Sequence, residues 1–64
     1  MVTPAHLTPR EKEVLALLKK GFADKEIAVA LGISPRVAKY HVAELRRKFK
    51  ASSRRVFMLP DFPG

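Results

Sequence analysis

The sequence predicts an all-α domain of four helices, the fourth of them short, built around a helix-turn-helix. Three observations predict it. Apolar residues recur at helical spacing in successive segments, hydroxyl-proline starts stand at Thr8-Pro9 and Ser34-Pro35, and Gly21 and Gly32 fall where helices must stop. No stretch alternates as a strand would, and there is no internal repeat or low-complexity segment.

Residues 1–7 read as an N-terminal arm, with Pro4 and mixed composition, ahead of a domain over 8–59 and a tail over 60–64. Thr8-Pro9-Arg10-Glu11 is a strong helix start. The Thr8 hydroxyl can accept from the Glu11 N–H, the Glu11 carboxylate can reach back to Thr8, and Pro9 gives up an N–H that has no partner at that position anyway. Val14, Leu15 and Leu18 supply the apolar stripe, so the first helix is expected from about Pro9 to Lys20. Lys19 and Lys20 suit the negative end of its dipole.

A second helix is expected from Asp24 to Leu31, with Ile27, Ala28 and Leu31 inward and Gly32 ending it in the left-handed conformation. The cap-plus-proline start returns two residues later at Ser34-Pro35. The third helix then runs to about Phe49 or Lys50, where Ala51-Ser52-Ser53 breaks the pattern. Ser53 can cap a fourth helix from Arg54 to about Leu59, stopped by Pro60 and Pro63. Val56, Phe57, Met58, Leu59 and Phe62 are too dense an apolar cluster for a solvated tail. Part of it is expected to close the core and part to form a dimer or partner surface.

Sixty-four residues make one domain with a thin core, since a chain of this size buries only about 60% of its unfolded surface. That leaves little room for a catalytic cleft. There are no cysteines for disulfides or thiolate metal sites, and His6 and His41 alone make no metal cluster. Neither a cofactor nor a metal is expected. Apolar runs are far shorter than the roughly 20 residues of a membrane span, and the start has no signal-peptide pattern, so a cytoplasmic protein is expected.

Charge is the informative quantity. The chain carries a net +7, and it is lopsided. Residues 34–55 hold Arg36, Lys39, Arg46, Arg47, Lys48, Lys50, Arg54 and Arg55 against the single acid Glu44, whereas the first 33 residues are nearly balanced. A cationic third of a domain points to a polyanion partner.

Two helices joined by a turn this tight must cross steeply with their backbones close, which needs a small residue one turn before the glycine. Ala28 supplies it, with Ile27, Leu31 and Ile33 filling the wedge. At about 100° per residue, Arg36, Lys39, Tyr40, Ala43 and Arg47 gather on one side of the third helix, flanked by Arg46 and Lys50. Ala38, His41, Val42, Leu45 and Phe49 form the opposite, core-facing stripe, on which His41 reads as a packed histidine rather than a ligand. A helix fits the major groove, where Arg and Lys donate to guanine O6 and N7. Tyr40 suits a thymine methyl or a phosphate, Ala43 permits close approach, and the N–H groups at Ser34 to Arg36 suit a phosphate.

These residues resemble a known family. Leu7-Thr8-Pro9-Arg10-Glu11, Glu13-Val14-Leu15, Lys25-Glu26-Ile27-Ala28, Leu31-Gly32-Ile33-Ser34 and Lys39-Tyr40-His41, continuing through Lys48-Phe49 to Ser53-Arg54, are similar to the LuxR-type helix-turn-helix over about residues 7–59. This is the output domain of quorum-sensing and response regulators. The resemblance implies a four-helix domain whose third helix reads the major groove and whose fourth often forms a homodimer contact, here within residues 53–62. It implies that Lys39 and Tyr40 face bases and that Ala43 replaces a usually polar reader. Lys48 and Arg54 match basic positions near phosphate or holding the domain together, and Lys25 one near the DNA backbone.

The departures are specific. Ala23 stands where Ser or Thr usually caps the second helix, leaving Asp24 as an alternative cap. Val37 replaces a Thr, and Ala38 a Val. They bear on which sequence is read rather than on the mode of binding.

The expected function is therefore a sequence-specific duplex-DNA-binding transcriptional regulator that inserts helix 35–50 into the major groove. The DNA-contacting set comprises Lys25, Ser34, Arg36, Lys39, Tyr40, Ala43, Arg46, Arg47, Lys48, Lys50 and Arg54. Two rivals stand beside it: a protein-binding module docking on RNA polymerase, a sigma factor or another regulator, and a non-specific architectural DNA binder. No nucleophile, base and oxyanion set converges anywhere, so no catalysis is expected.

Overall fold

The computed structural model describes residues 6–59. Within them the chain forms α1 (Pro9–Lys19), α2 (Asp24–Leu31), α3 (Pro35–Phe49) and a closing 3-10 helix, η1 (Arg54–Met58), and no strand appears among the described residues. The expected all-helical fold is the observed one. Residues 1–5 of the expected arm over 1–7, the tail over 60–64, and with them Pro60, Phe62 and Pro63, lie outside the described residues.

α1 begins as its sequence dictates. The Thr8 hydroxyl accepts from the Glu11 N–H at 3.1 Å, and the Glu11 carboxylate accepts from the Thr8 N–H at 2.9 Å, a complete capping box. Ser34 caps α3 by accepting from the Val37 N–H at 3.2 Å. At the start of α2, the alternative cap Asp24 does not serve as one. Ala23 occupies the cap position and Asp24 is already helical. Ala23 has no hydroxyl to offer, so only half the box exists: Glu26 accepts from the Ala23 N–H at 2.7 Å.

All three α-helices end in one way. The Phe22 N–H donates to the Leu17 carbonyl (3.1 Å), Ile33 to Ala28 (3.0 Å) and Ala51 to Arg46 (2.8 Å), each closing a loop over a residue with positive φ. That residue is Gly21 (φ 87°), Gly32 (φ 67°) and Lys50 (φ 54°). Glycine takes this conformation without steric penalty, whereas a residue with a Cβ does not. α3 is therefore stopped at Lys50 rather than by the Ala51-Ser52-Ser53 segment.

The core is one cluster of Val14, Leu15, Leu18, Ile27, Ala28, Ala38, Val42, Leu45, Phe49 and Phe57. Every apolar residue assigned inward on α1 and α3 is buried there. Leu31 and Ile33 are half-buried and pack against its edge, as does Val56. His41 is half-buried at the border of the stripe, its ring edge-on to that of Tyr40 with centroids 5.7 Å apart.

The fourth element departs from expectation in kind. It is a 3-10 helix one residue shorter than expected, and the Ser53 side chain makes no capping hydrogen bond. Its role is to seat Phe57, which is fully buried with its ring edge-on to Phe49 at 5.6 Å. Met58 and Leu59 stay about half exposed, so the apolar cluster divides between core and surface.

Candidate nucleic-acid interface

Two polar ties brace the domain around α3. The Lys48 ammonium lies 2.7 Å from Glu11 Oε1 and donates to the His6 carbonyl at 3.3 Å, joining the end of α3 to the start of α1. Glu11 is buried. Its carboxyl is held below the usual value of 4.5 chiefly by the Lys48 hydrogen bond and then by the Thr8 N–H, with burial opposing both. The Arg54 guanidinium forks between Asp24 Oδ1 and the Phe22 carbonyl, both at 2.7 Å, joining η1 to the start of α2.

Lys48 and Arg54 therefore differ from the other cations in the expected DNA-contacting set. Both are partly buried, and their hydrogens are directed at acceptors within the domain. Of the two roles their positions suggested, holding the domain together is the one this geometry performs. Spacing alone does not separate them from their neighbours, because Lys48 follows Arg46 and Arg47 in one basic run.

The remaining cations are exposed. Arg36, Lys39, Ala43, Arg46, Arg47 and Lys50 share one side of α3, opposite the stripe of Ala38, Val42, Leu45 and Phe49. Tyr40 borders them and is 61% exposed. Two of these side chains are steadied locally: Arg46 donates to the Ser52 carbonyl at 3.0 Å, and Arg47 pairs with Glu44 at 2.9 Å. Arg36 and Lys39 make no hydrogen bond or ion pair among the described residues. Lys25 is exposed on α2, and Ser34 is exposed while its hydroxyl serves the helix start.

Lys39 stands between two shallow depressions. One is lined by Lys25, Pro35 and Arg36, the other by Val42, Ala43, Arg46, Ser53 and Arg54, and Asp24 borders both. The expected set thus comes together on one face except for Lys48, which is drawn to the α1 side; Arg54 lines the same face but is tied to Asp24 and the Phe22 carbonyl. The pairing of Glu44 with Arg47 was not drawn from the sequence, although their spacing of three is the signal for it.

Seen from this face, the structure is a basic, groove-sized helix carried on a tight turn. A profile described as bacterial regulatory proteins of the luxR family matches residues 5–59. The chain belongs to that luxR family. Relatives within it include the tetrathionate response regulatory protein TtrR of Salmonella typhimurium, 43% identical over 47 residues, which covers 73% of this chain and 23% of that protein. The transcriptional regulatory protein FixJ of Azorhizobium caulinodans is 47% identical over 49 residues, 77% of this chain and 23% of the relative. The nitrate/nitrite response regulator protein NarL of Escherichia coli is 42% identical over 48 residues, 75% of this chain and 22% of the relative. The luxR-family match therefore spans about a quarter of each of these proteins. No solved structure gives a significant match.

Proposed function

We propose that this luxR-family domain is a sequence-specific duplex-DNA-binding transcriptional regulator, acting in the cytoplasm without catalysis, that places α3 in the major groove. The observation carrying this reading is the exposed side of α3, where five cations surround Ala43 while the opposite side is locked into the core. An α-helix matches the width of that groove, and cations there release counterions from the phosphates. The family membership and relatives named as transcriptional and response regulators support the same reading.

In this mechanism Lys39 and Tyr40 face base edges, with Ala43 allowing close approach between them. Lys25, Arg36, Arg46, Arg47 and Lys50 contact phosphates, and the exposed N–H groups at the start of α3 receive one more. Lys48 and Arg54 are left out of the contact set because their charges are spent inside the domain. Selection of bound fragments from random duplexes tests the proposal: a recurring sequence is expected, and recovery of unbiased sequence would refute specific readout.

A second reading concerns protein partners. Met58 at the end of η1 and Leu59 just after it are half exposed, and Val29 is 84% exposed on α2. These suit a homodimer contact through residues 53–62 or a contact with RNA polymerase or another regulator. Sedimentation with and without DNA distinguishes a dimer from a monomer.

A further inference from the structure

We infer that Ser53 is a further DNA-contacting residue, its hydroxyl and the Arg46 guanidinium together seating one backbone phosphate in the depression between α3 and η1. The inference rests on the duplex-DNA reading above and deepens it by naming a contact that the charge pattern does not reveal.

Ser53 holds the position of a helix cap without doing a cap's work. It precedes η1 with an extended backbone, φ −154° and ψ 165°, yet its side chain caps nothing. Thr8 and Ser34 stand at the same position on α1 and α3, and each of their hydroxyls accepts from an N–H three residues on. The Ser53 hydroxyl makes no hydrogen bond among the described residues. No buried side-chain oxygen among them lacks a partner, so this half-buried residue keeps its hydroxyl open to solvent.

The depression that Ser53 lines is shared by three cations, Lys39, Arg46 and Arg54, and by one acid, Asp24, which is paired with Arg54. Arg46 is anchored at its edge. One guanidinium nitrogen donates to the Ser52 carbonyl at 3.0 Å, which holds the group beside Ser53 while its other N–H donors stay available. A solvent-open hydroxyl next to an anchored guanidinium, in a hollow with excess positive charge, suits an anionic oxygen better than the neutral edge of a base. Hydrogen bonds to such an oxygen are shorter and stronger than those to neutral acceptors. Contacts of this kind fix the register of a protein on the duplex without reading its sequence. Ser53 is uncharged, so its contact releases no counterion and leaves no trace in the salt dependence, whereas the Arg46 contact does.

Single methylphosphonate replacements along the best selected site test this, because each removes one phosphate charge and one anionic oxygen. On the unmodified site, Ser53→Ala is expected to bind about tenfold more weakly than wild type, with an unchanged slope of log affinity against log salt and an unchanged urea midpoint. At one phosphate, the replacement is expected to shrink the Ser53→Ala and Arg46→Ala penalties together, the former to within about twofold. Coupling of the two variants to different phosphates overturns the shared seat while leaving groove binding intact. A Ser53→Ala penalty that is the same at every replacement does so as well. A lower urea midpoint in Ser53→Ala overturns it by assigning the hydroxyl to the fold, and wild-type affinity in Ser53→Ala overturns it outright. Failure of the wild type to select any site removes the DNA reading itself, a result distinct from these.

Discussion

Lys48 Nζ lies 2.7 Å from Glu11 Oε1, the same carboxylate oxygen that accepts from the Thr8 N–H. One side chain thus caps α1 and holds the far end of α3, so the start of the first helix and the seating of α3 depend on one charge.

Glu11→Gln tests this tie by pH. The Glu11 carboxyl is held below its ordinary value of 4.5 in the folded protein, so the unfolded chain takes up the proton first as pH falls. Its stabilising contribution is complete above about pH 4.5 and is lost as pH drops through the lower folded value. Urea midpoints measured across that range should show wild type above Glu11→Gln near neutrality, by about 1–2 kcal/mol, and the two converging in acid. A difference that stayed constant with pH would assign the cost to packing alone.

Arg54→Lys should destabilise the domain almost as much as Arg54→Ala, by about 1–2 kcal/mol. A planar guanidinium serves Asp24 and the Phe22 carbonyl together, and an ammonium cannot reproduce that fork. In a domain this small the melting temperature would fall by roughly 4–8 °C per kcal/mol. Full stability in Arg54→Lys would show that charge, not shape, makes the joint.

Lys39→Ala and Arg46→Ala should fail in different ways. Loss of Lys39 is expected to lower the ratio of affinities for target and scrambled duplex by about tenfold. Loss of Arg46 is expected to weaken both about equally and to flatten the salt dependence. Titrations of each variant on both duplexes decide the matter, and identical behaviour would remove the division between base and phosphate contacts.

Lys50→Gly should make the protein more stable and its DNA binding weaker. Lys50 holds the position that Gly21 and Gly32 hold on the other helices, at φ 54°. Relieving that conformation with glycine should gain about 0.5–1 kcal/mol after the added chain entropy is counted. The same change removes an exposed cation from the basic face, so the slope of log affinity against log salt should shrink by about 0.9. A rise in urea midpoint together with an unchanged slope would separate Lys50 from the DNA.

The helices were legible because their signals are local. Thr8-Pro9, Gly21, Gly32 and Ser34-Pro35 each act within a few residues of where they stand, and the inward stripe of α3 follows from periodicity. The end of α3 was less so, because its left-handed residue is a lysine and gives no composition signal. The start of α2 was legible at Asp24, but its capping was not: the backbone cap comes from Glu26, three residues inside, and not from the alternative Asp24. Within the site, the cationic side was legible and the division of labour was not. Whether Lys48 and Arg54 face outward depends on Glu11 and Asp24, which are 37 and 30 positions away.

Ala28 and Ala38 are 3% and 0% exposed, one on each of the two helices that pack most extensively together. With a single methyl apiece in the shared core, these two residues leave α2 and α3 little to hold them apart, and how far α3 stands from the body depends on such small buried side chains. Enlarging either one would lift or roll α3 as a unit, changing the reach of every cation on it without touching one of them. In the proposed groove-binding mode, depth of insertion would thus be set by the hidden layer beneath the contact surface, and related domains could retune it by a methylene placed far from any base.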